Sequence, residues 1–210
     1  MISTTGVGGL TLAGGIGWLH RKWGLSCDNL LAAQIVLASG ELVNASDDEN
    51  PDLFWAIRGG GGNFGVVVDC TFRAREVGPE VALAAVFHDA ASGAELMPQW
   101  RDLALRAGDE VTTRALYWSL PASDQLTPPV QGKDVLIIAA LYAGHKQQGE
   151  GIIDEFRSLG SPLFDMTDHI PTYRAFQAGF DGSTNLSGVC PVHAAGSCGR
   201  VTAMWVRIRR

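Results

Sequence analysis

Apolar positions in the first third of the chain recur with the periods of strands and helices. An apolar run at 35–37, a Ser39-Gly40 turn and a second apolar run predict a β-hairpin at residues 33–45. Alternation of apolar and polar positions predicts a further strand at 66–74. The residues expected to share one face of that strand are Val66, Val68, Cys70 and Phe72.

Two short helices are predicted beside these strands. The segment GWLHRKWG has apolar residues four positions apart and a glycine at its end, which is typical of one helical turn. The segment NPDLFWAIRGG carries stronger signals, because Asn50 can cap a helix, Pro51 suits its first position and Gly59 can end it.

From about residue 79 the order of predicted elements is β-α-β-β-α. The segments are VALAAVF, AELMPQWRDLALRAG, EVTTRALYWSLP, DVLIIAALYAG and QQGEGIIDEFRSLG. This order predicts an α+β domain with a mostly antiparallel sheet and helices on one face, with a domain boundary near 77–80. Pro98 is expected in the first turn of its helix, where its missing N–H costs nothing.

Composition narrows the class of protein. The chain has 210 residues, 46% of them hydrophobic, and a net charge of −6, which disfavours nucleic acid as a partner. No apolar run reaches the roughly 18 residues of a membrane span, and no signal peptide is visible. The four cysteines form no dense disulfide pattern, which favours the cytoplasm. The 26 glycines cluster at 6–24 and 59–65.

Two glycine-rich loops are what an anionic cofactor needs, since backbone N–H groups reach a pyrophosphate only where no side chain intervenes. Neither loop has the lysine of a P-loop, and neither forms the dinucleotide-binding fingerprint. Two alternatives stay open at this point. The glycines can serve tight turns and close packing, or they can bind a nucleotide of another kind.

The order and spacing of several sequence motifs give a more specific resemblance to a known family. The segments STTGVGGLTLAGGIGWLHRKWGLSCDNLL, ASGELV and NPDLFWAIRGGGGNFGVVV closely resemble the berberine-bridge-type FAD-linked oxidases of the vanillyl-alcohol oxidase / p-cresol methylhydroxylase flavoprotein superfamily. The resemblance implies the second part of a PCMH-type FAD-binding domain at 1–78 and a partial substrate domain at 79–186. Residues 187–210 form a divergent basic tail. We therefore expect the chain to be incomplete at both ends.

The resemblance also implies which residues bind FAD. Carried over motif by motif, these are Thr5, Gly6, Gly8, Gly9, Leu10, Gly14, Gly65 and the backbone of Val67. Ile2 stands where some members have a flavin-linking cysteine, and the family's histidine loop is not found in the sequence, so any FAD is expected to be non-covalent. His20 is expected at the surface or behind the site, and Cys27 is expected to be a packed thiol.

Other candidate chemistry is weaker, and no catalytic residue is assigned. Tyr117, Trp118 and Tyr142 fit sheet packing better than catalysis, and the residues Asp165, Asp168, His169 and Tyr173 form no recognisable acid–base pair. No metal site is predicted either. Cys190, His193 and Cys198 lack a fourth ligand at zinc spacing.

The predicted function is that of an FAD-dependent oxidoreductase whose full-length relatives oxidise small organic substrates such as sugars, alcohols or secondary metabolites with O₂. A small-molecule substrate is therefore expected, with neither nucleic acid nor membrane as partner. The alternative is a truncated or decayed product that binds flavin weakly or not at all. Such a chain would expose sheet edges and leave one face of DVLIIAALYAG under-covered.

Overall fold

A computed structural model describes residues 5–122 and 126–178 together with a two-residue strand at 202–203. The chain divides into two compact units, Met1–Glu76 and Val77–Arg210. The identity of 1–78 and 79–186 as cofactor and substrate domains stays a prediction. Most of the basic tail, with Cys190, His193 and Cys198, lies outside the described residues.

From residue 5 onward, the first unit contains a three-stranded antiparallel sheet and three short α-helices. The strands stand in the order β2-β1-β3. The elements are α1 Val7–Leu12, α2 His20–Trp23, β1 Leu30–Val36, β2 Leu42–Ser46, α3 Pro51–Ile57 and β3 Val66–Phe72. The predicted hairpin, the strand at 66–74 and the helices in GWLHRKWG and NPDLFWAIRGG are all confirmed in type.

The start of α3 differs from its prediction in one respect. Pro51 begins the helix as expected, but the Asn50 side chain does not cap it. Asn50 has a left-handed φ of 49°, and its Nδ2 donates instead to the Asn44 carbonyl at 2.7 Å. The cap residue therefore ties the helix to β2, which its position in the sequence could not indicate.

The predicted facing of β3 is wrong because the strand carries a β-bulge. Ile35 pairs with Val67 whereas Gln34 pairs with Asp69, so one extra residue, Val68, enters β3 at this point. Val67 and Cys70 therefore pack against the same core. Val66 and Val68 are 67% and 57% exposed.

In the described residues of the second unit, five strands form an antiparallel sheet in the order β7-β4-β6-β5-β8. Two long helices cover one face, where Trp100 and Phe156 pack on sheet residues such as Ile138. This is the predicted α+β arrangement. The elements are β4 Leu83–Asp89, α4 Gly93–Arg106, β5 Val111–Ser119, β6 Asp134–Tyr142, α5 Lys146–Arg157, β7 Phe164–Asp165, α6 Tyr173–Ala178 and β8 Thr202–Ala203.

Two predictions about the second unit are wrong. Pro98 lies inside α4 rather than in its first turn, because the helix already begins at Gly93. The DVLIIAALYAG segment is also not under-covered. Six residues of β6 are 4% exposed or less, namely Val135, Leu136, Ile138, Ala139, Ala140 and Leu141.

 β6 is the central strand, paired with β4 on one edge and with β5 on the other, and residues of α4 and α5 pack on one of its faces.

Helices α4 and α5 each approach the sheet where a glycine faces a tyrosine. A Cβ at Gly93 would overlap the hydroxyl group of Tyr117, and one at Gly149 would lie 2.5 Å from the Cβ of Tyr142. These tyrosine side chains therefore occupy space that the helices leave free. Tyr117 and Tyr142 serve packing, as the sequence predicted.

Candidate functional site

The first glycine cluster forms a short helix, although a bare loop was expected there. Helix α1 spans Val7–Leu12, and its backbone bonds include Leu10 N–H to the Gly6 carbonyl at 3.1 Å and Ala13 N–H to the Gly9 carbonyl at 3.3 Å. Each glycine inside a helix costs about 1 kcal/mol relative to alanine. Glycine at two positions of a six-residue helix therefore calls for a reason beyond helix formation.

Gly6, Gly8 and Gly9 have no such reason within their own unit. A Cβ built at any of them would meet no atom within 4 Å, and none of them has a positive φ. The fold itself would accept larger residues at all three positions. What these glycines provide is bare backbone facing open space, which a bound molecule can approach closely.

Gly14 and Gly65 differ, because the fold requires them. Their φ angles of 101° and 146° are strained for any residue with a side chain. A Cβ at Gly65 would also lie 2.6 Å from the Val36 carbonyl oxygen. Both residues were predicted to bind FAD, and both have a sufficient structural explanation as well.

The second glycine cluster is joined to the first by a backbone hydrogen bond. Gly61 N–H donates to the Leu12 carbonyl, the last residue of α1, at 2.9 Å. At the other end of the second cluster, Gly65 lies against Ile35 and Val36 of β1, and Val67 pairs with Ile35. The two clusters thus form one continuous backbone surface on the first unit, which we call the glycine surface (residues 5–15 and 59–67).

The glycine surface also holds a buried polar atom. Thr11 is fully buried, and its Oγ1 has no hydrogen-bond partner within the described part of the chain. A buried hydroxyl group in this condition costs about 1–3 kcal/mol unless another molecule satisfies it. Bare backbone that faces open space, next to a buried hydroxyl group without a partner, fits a polar cofactor.

The predicted FAD-binding residues therefore fall into three groups. Thr5, Gly6, Gly8 and Gly9 are accessible on α1 and just before it, whereas Gly14 and Gly65 are turn positions. Leu10 and Val67 are partly buried, and Val67 packs on the core of the unit. Thr11, Gly15 and Gly61 also belong to the glycine surface, and the sequence analysis did not single them out. The paired glycines in LAGG and GGGG were the available signal for the last two.

The other residues weighed for cofactor attachment are not reactive groups in this structure. The Nδ1 of His20 donates to the Gly17 carbonyl at 2.6 Å, within its own turn. Cys27 is 5% exposed, and burial, aided by the neighbouring Asp28, raises the pKa of its thiol above the usual 9.0. A buried protonated thiol is a poor nucleophile, which agrees with a packing role. Ile2 lies outside the described residues.

The acidic candidates of the second unit serve structure. The Arg157 guanidinium contacts Asp165 and Asp168, each at 2.6 Å, and so ties α5 to β7 and to the segment that follows it. His169 stacks on Phe164 with ring centroids 6.1 Å apart, and burial raises the pKa of Tyr173. Among the described residues, no three His, Cys, Asp or Glu side chains come together in a way that could hold a metal ion.

Comparison with known proteins indicates a flavoprotein family. Residues 1–46 match the family model described as an FAD binding domain. The FAD-linked oxidoreductase pgmH of Aspergillus terreus is 35% identical over 192 residues, which are 86% of this chain and 37% of that protein. The (R)-6-hydroxynicotine oxidase of Paenarthrobacter nicotinovorans is 48% identical over 88 residues, 42% of this chain and 19% of that protein.

Solved structures point to the same family. The structure of 6-hydroxy-D-nicotine oxidase from Arthrobacter nicotinovorans superposes with a TM-score of 0.66 at 26% identity, over 83% of this chain and 37% of that one. The berberine bridge enzyme-like protein 1 of Physcomitrella patens gives 0.61 at 31% identity, over 76% and 32%.

These comparisons confirm the resemblance seen in the sequence. The chain is a relative of the berberine-bridge-type FAD-linked oxidoreductases, and FAD is the cofactor that they indicate. The chain spans a little over a third of the length of pgmH. No helix in the described ranges is long and apolar enough to cross a membrane.

Proposed function

We propose that this chain supplies the glycine surface as part of an FAD site in an oxidoreductase that acts on a small organic molecule. Gly6, Gly8 and Gly9 would lie along the cofactor with their backbone, and the Thr11 hydroxyl group would gain a polar partner. FAD would supply the redox chemistry when bound. The role of the chain's own residues is to bind the cofactor and shield it from water.

One observation carries the proposal. Three glycines stand at positions where the fold neither needs a positive φ nor lacks room for a side chain. They lie in the segment that matches the FAD binding domain. The names of the related oxidases support O₂ as electron acceptor and small molecules as substrates, and the cysteine usage supports the cytoplasm.

A valine at position 8 tests the proposal. The Gly8→Val variant places a branched side chain on the open side of α1 without contacting its own unit. We expect the purified chain to bind FAD, as measured by flavin fluorescence quenching and calorimetry. We expect Gly8→Val to weaken that binding at least about tenfold while the thermal unfolding temperature stays unchanged.

Gly151→Val is the matched control. Gly151 also lies within a helix, α5, and a Cβ there would also meet no atom within 4 Å. This variant should leave FAD affinity unchanged. Equal affinity for FAD in the Gly8→Val variant and the parent chain would refute the placement. Absence of any flavin binding would favour the alternative interpretation, in which the chain is a truncated or decayed product.

A further inference from the structure

The second unit holds a cavity of about 370 Å³ beside helix α5, which we call the α5 cavity. The lining residues on the helix recur at helical spacing and so share one face: Lys146, Glu150, Ile153, Asp154 and Arg157. The rest of the lining comes from 81–83, at the start of β4, and from the segment 167–171. Ligand pockets of proteins begin at about 300 Å³, so the α5 cavity has room for a small organic molecule.

Hydrogen bonds fix the segment 167–171 on both sides. At its start, the Thr167 Oγ1 accepts from the Ala85 N–H of β4 at 3.1 Å. Just beyond its end, the Tyr173 N–H donates to the Pro79 carbonyl at 3.0 Å. The α5 cavity is therefore preformed, and a ligand that enters it does not have to order the chain around it.

Strand β4 has an unpaired backbone edge at Leu83, which lines the α5 cavity. The backbone groups of successive strand residues point alternately to the two neighbouring strands. The Ala82 carbonyl accepts from Tyr142 N–H on the β6 side, whereas the Ala85 carbonyl accepts from Met166 N–H on the β7 side. Leu83 therefore directs its N–H and C=O to the β7 side, as Ala85 does.

Neither backbone group of Leu83 has a hydrogen-bond partner on that side among the described residues. Leu83 is only 6% exposed, so water has little access to these groups. A buried backbone N–H or C=O without a partner is unfavourable, and the great majority of such groups in proteins are paired. The open edge thus offers one donor and one acceptor, side by side, to a molecule in the cavity.

Both basic residues that line the α5 cavity already have acidic partners. The Lys146 Nζ lies 3.5 Å from Glu80, and the Arg157 guanidinium contacts Asp165 and Asp168. An anionic ligand would have to compete with these carboxylates for either cation. The charges around the cavity therefore disfavour an anion.

Two acidic residues of the lining are available to a cation. Glu150 and Asp154 lie one turn apart on α5, and neither side chain makes an ion pair or a hydrogen bond with any described residue. Apolar surface lies beside them, because Ile153 and the half-buried Ile170 also line the cavity. The α5 cavity thus combines a backbone donor and acceptor, two carboxylates and an apolar lining.

We propose that the α5 cavity binds a small aliphatic amine that carries an amide group. The amide both donates and accepts, so it matches the N–H and C=O of Leu83. The ammonium group lies at Glu150 and Asp154, and the aliphatic body packs on Ile153. This site belongs to the second unit and is distinct from the glycine surface, so the inference goes beyond the proposed function and does not depend on it.

Three probes separate the contributions to binding. Leucinamide carries the amide, the ammonium group and an aliphatic body, whereas isocaproamide lacks the ammonium group and leucine methyl ester lacks the amide N–H. Each probe is titrated into the isotope-labelled full chain without FAD at about pH 6.5, where an α-amino group is charged. Dissociation constants are obtained from the backbone amide chemical shifts.

We expect leucinamide to bind at least about threefold more tightly than either of the other probes. The factor is modest because exposed ion pairs and single hydrogen bonds each contribute little. Sodium chloride should weaken the binding of leucinamide and leave that of isocaproamide unchanged, since only leucinamide is charged. The largest shifts should occur at 81–83, 150–154 and 167–170.

Two variants assign the preference for the ammonium group to its residues. The Glu150→Gln, Asp154→Asn double variant should lower the affinity for leucinamide to that for isocaproamide, while the affinity for isocaproamide stays within about twofold. Both side chains are exposed, so the fold should not change. Glu155→Gln is the matched control, because it changes an exposed carboxylate of the same helix that does not line the cavity. It should change neither affinity.

Each result either supports or overturns the proposal. Equal affinity for leucinamide and isocaproamide, no binding of either, shifts confined to other parts of the chain, or a preference that survives the double variant would overturn it. Equal affinity for leucinamide and its methyl ester would overturn the placement of the amide at Leu83. If the double variant does not fold, Glu150→Gln alone serves instead and should lose part of the preference. Because the probes are measured without FAD, failure here is distinguishable from failure of the glycine surface to bind flavin.

Discussion

His88 shows how one buried side chain can set a response of the whole protein to pH. It is fully buried on β4, and neither ring nitrogen makes a hydrogen bond within the described residues. Burial lowers the pKa of the imidazole below 6.5, because the charged form would lose its hydration. The native state therefore keeps His88 neutral.

Acidification should destabilise the protein through this residue. Below pH 6.5 the unfolded chain binds a proton at position 88 that the native state excludes. The free energy of unfolding is therefore highest above that pH and decreases as the pH falls. We expect His88→Leu to flatten the dependence of the free energy of unfolding on pH between 7.5 and 5.5. One group contributes at most about 1.4 kcal/mol per pH unit.

Urea unfolding at several pH values measures this effect.

The carboxyl group of Asp165 affects stability at a lower pH than His88 does. Burial opposes ionisation of this carboxyl group, but hydrogen bonds from Thr167 and Arg157 outweigh it and lower its pKa below 3.8. The stability that Asp165 provides is therefore lost only below about that pH.

The control for His88→Leu is His145→Leu, at an exposed position. Equal pH slopes for His88→Leu and the parent chain would contradict the prediction.

At the scale of elements, helix α5 carries two glycines with opposite roles. Gly149 faces the ring of Tyr142 on β6, whereas Gly151 faces open space. Alanine at position 149 should destabilise the protein by about 1–3 kcal/mol, because an added methyl group in a packed interface forces atoms apart. Alanine at position 151 should stabilise it by about 1 kcal/mol through helix propensity.

Chemical denaturation of the two single variants checks this prediction within one helix. The Gly149→Ala, Tyr142→Ala double variant should recover part of the loss, since it removes the Cγ and Cδ1 atoms that a Cβ at position 149 would meet. If both alanine variants change stability in the same direction, the packing account of Gly149 is wrong.

The sequence predicted β1 to β6 and helices α2 to α5 because the periods of these elements are local, but it did not predict β7, β8 and α6. It failed where the deciding contact is distant along the chain. The bulge at Val68 depends on pairing with β1, and Asn50 depends on a carbonyl of β2. Helix α1 escaped prediction because its glycines disfavour a helix. In the site, glycine clustering marked both loops, but only the structure showed that Gly61 joins them.

At the scale of the whole molecule, β3 is an exposed sheet edge within the described residues. Val66 and Val68 add accessible apolar surface to that edge. An edge strand of this kind is a template for pairing with another chain. The expectation of an exposed edge therefore agrees with the structure, while the second unit has a well-buried central strand.

A lysine on this edge should reduce aggregation. We expect Val68→Lys to lower light scattering on heating, with the free energy of unfolding unchanged within about 0.5 kcal/mol because the side chain is 57% exposed. Leu105→Lys, at a residue 52% exposed on α4, is the matched control. Equal reductions in both variants would show that added charge acts generally and that the edge has no special role.

The bulge in β3 also bears on how the length of the chain can change in evolution. Strands rarely tolerate the loss of a residue, because every side chain beyond the deletion turns to the opposite face. Deletion of Val68 would instead remove the bulge and leave the facing of the other side chains unchanged. Val67, Asp69 and Cys70 already pair with Ile35, Gln34 and Ala33 in succession, so a chain without residue 68 would keep its register and the same inward side chains. A deletion is thus tolerable at this point inside a strand.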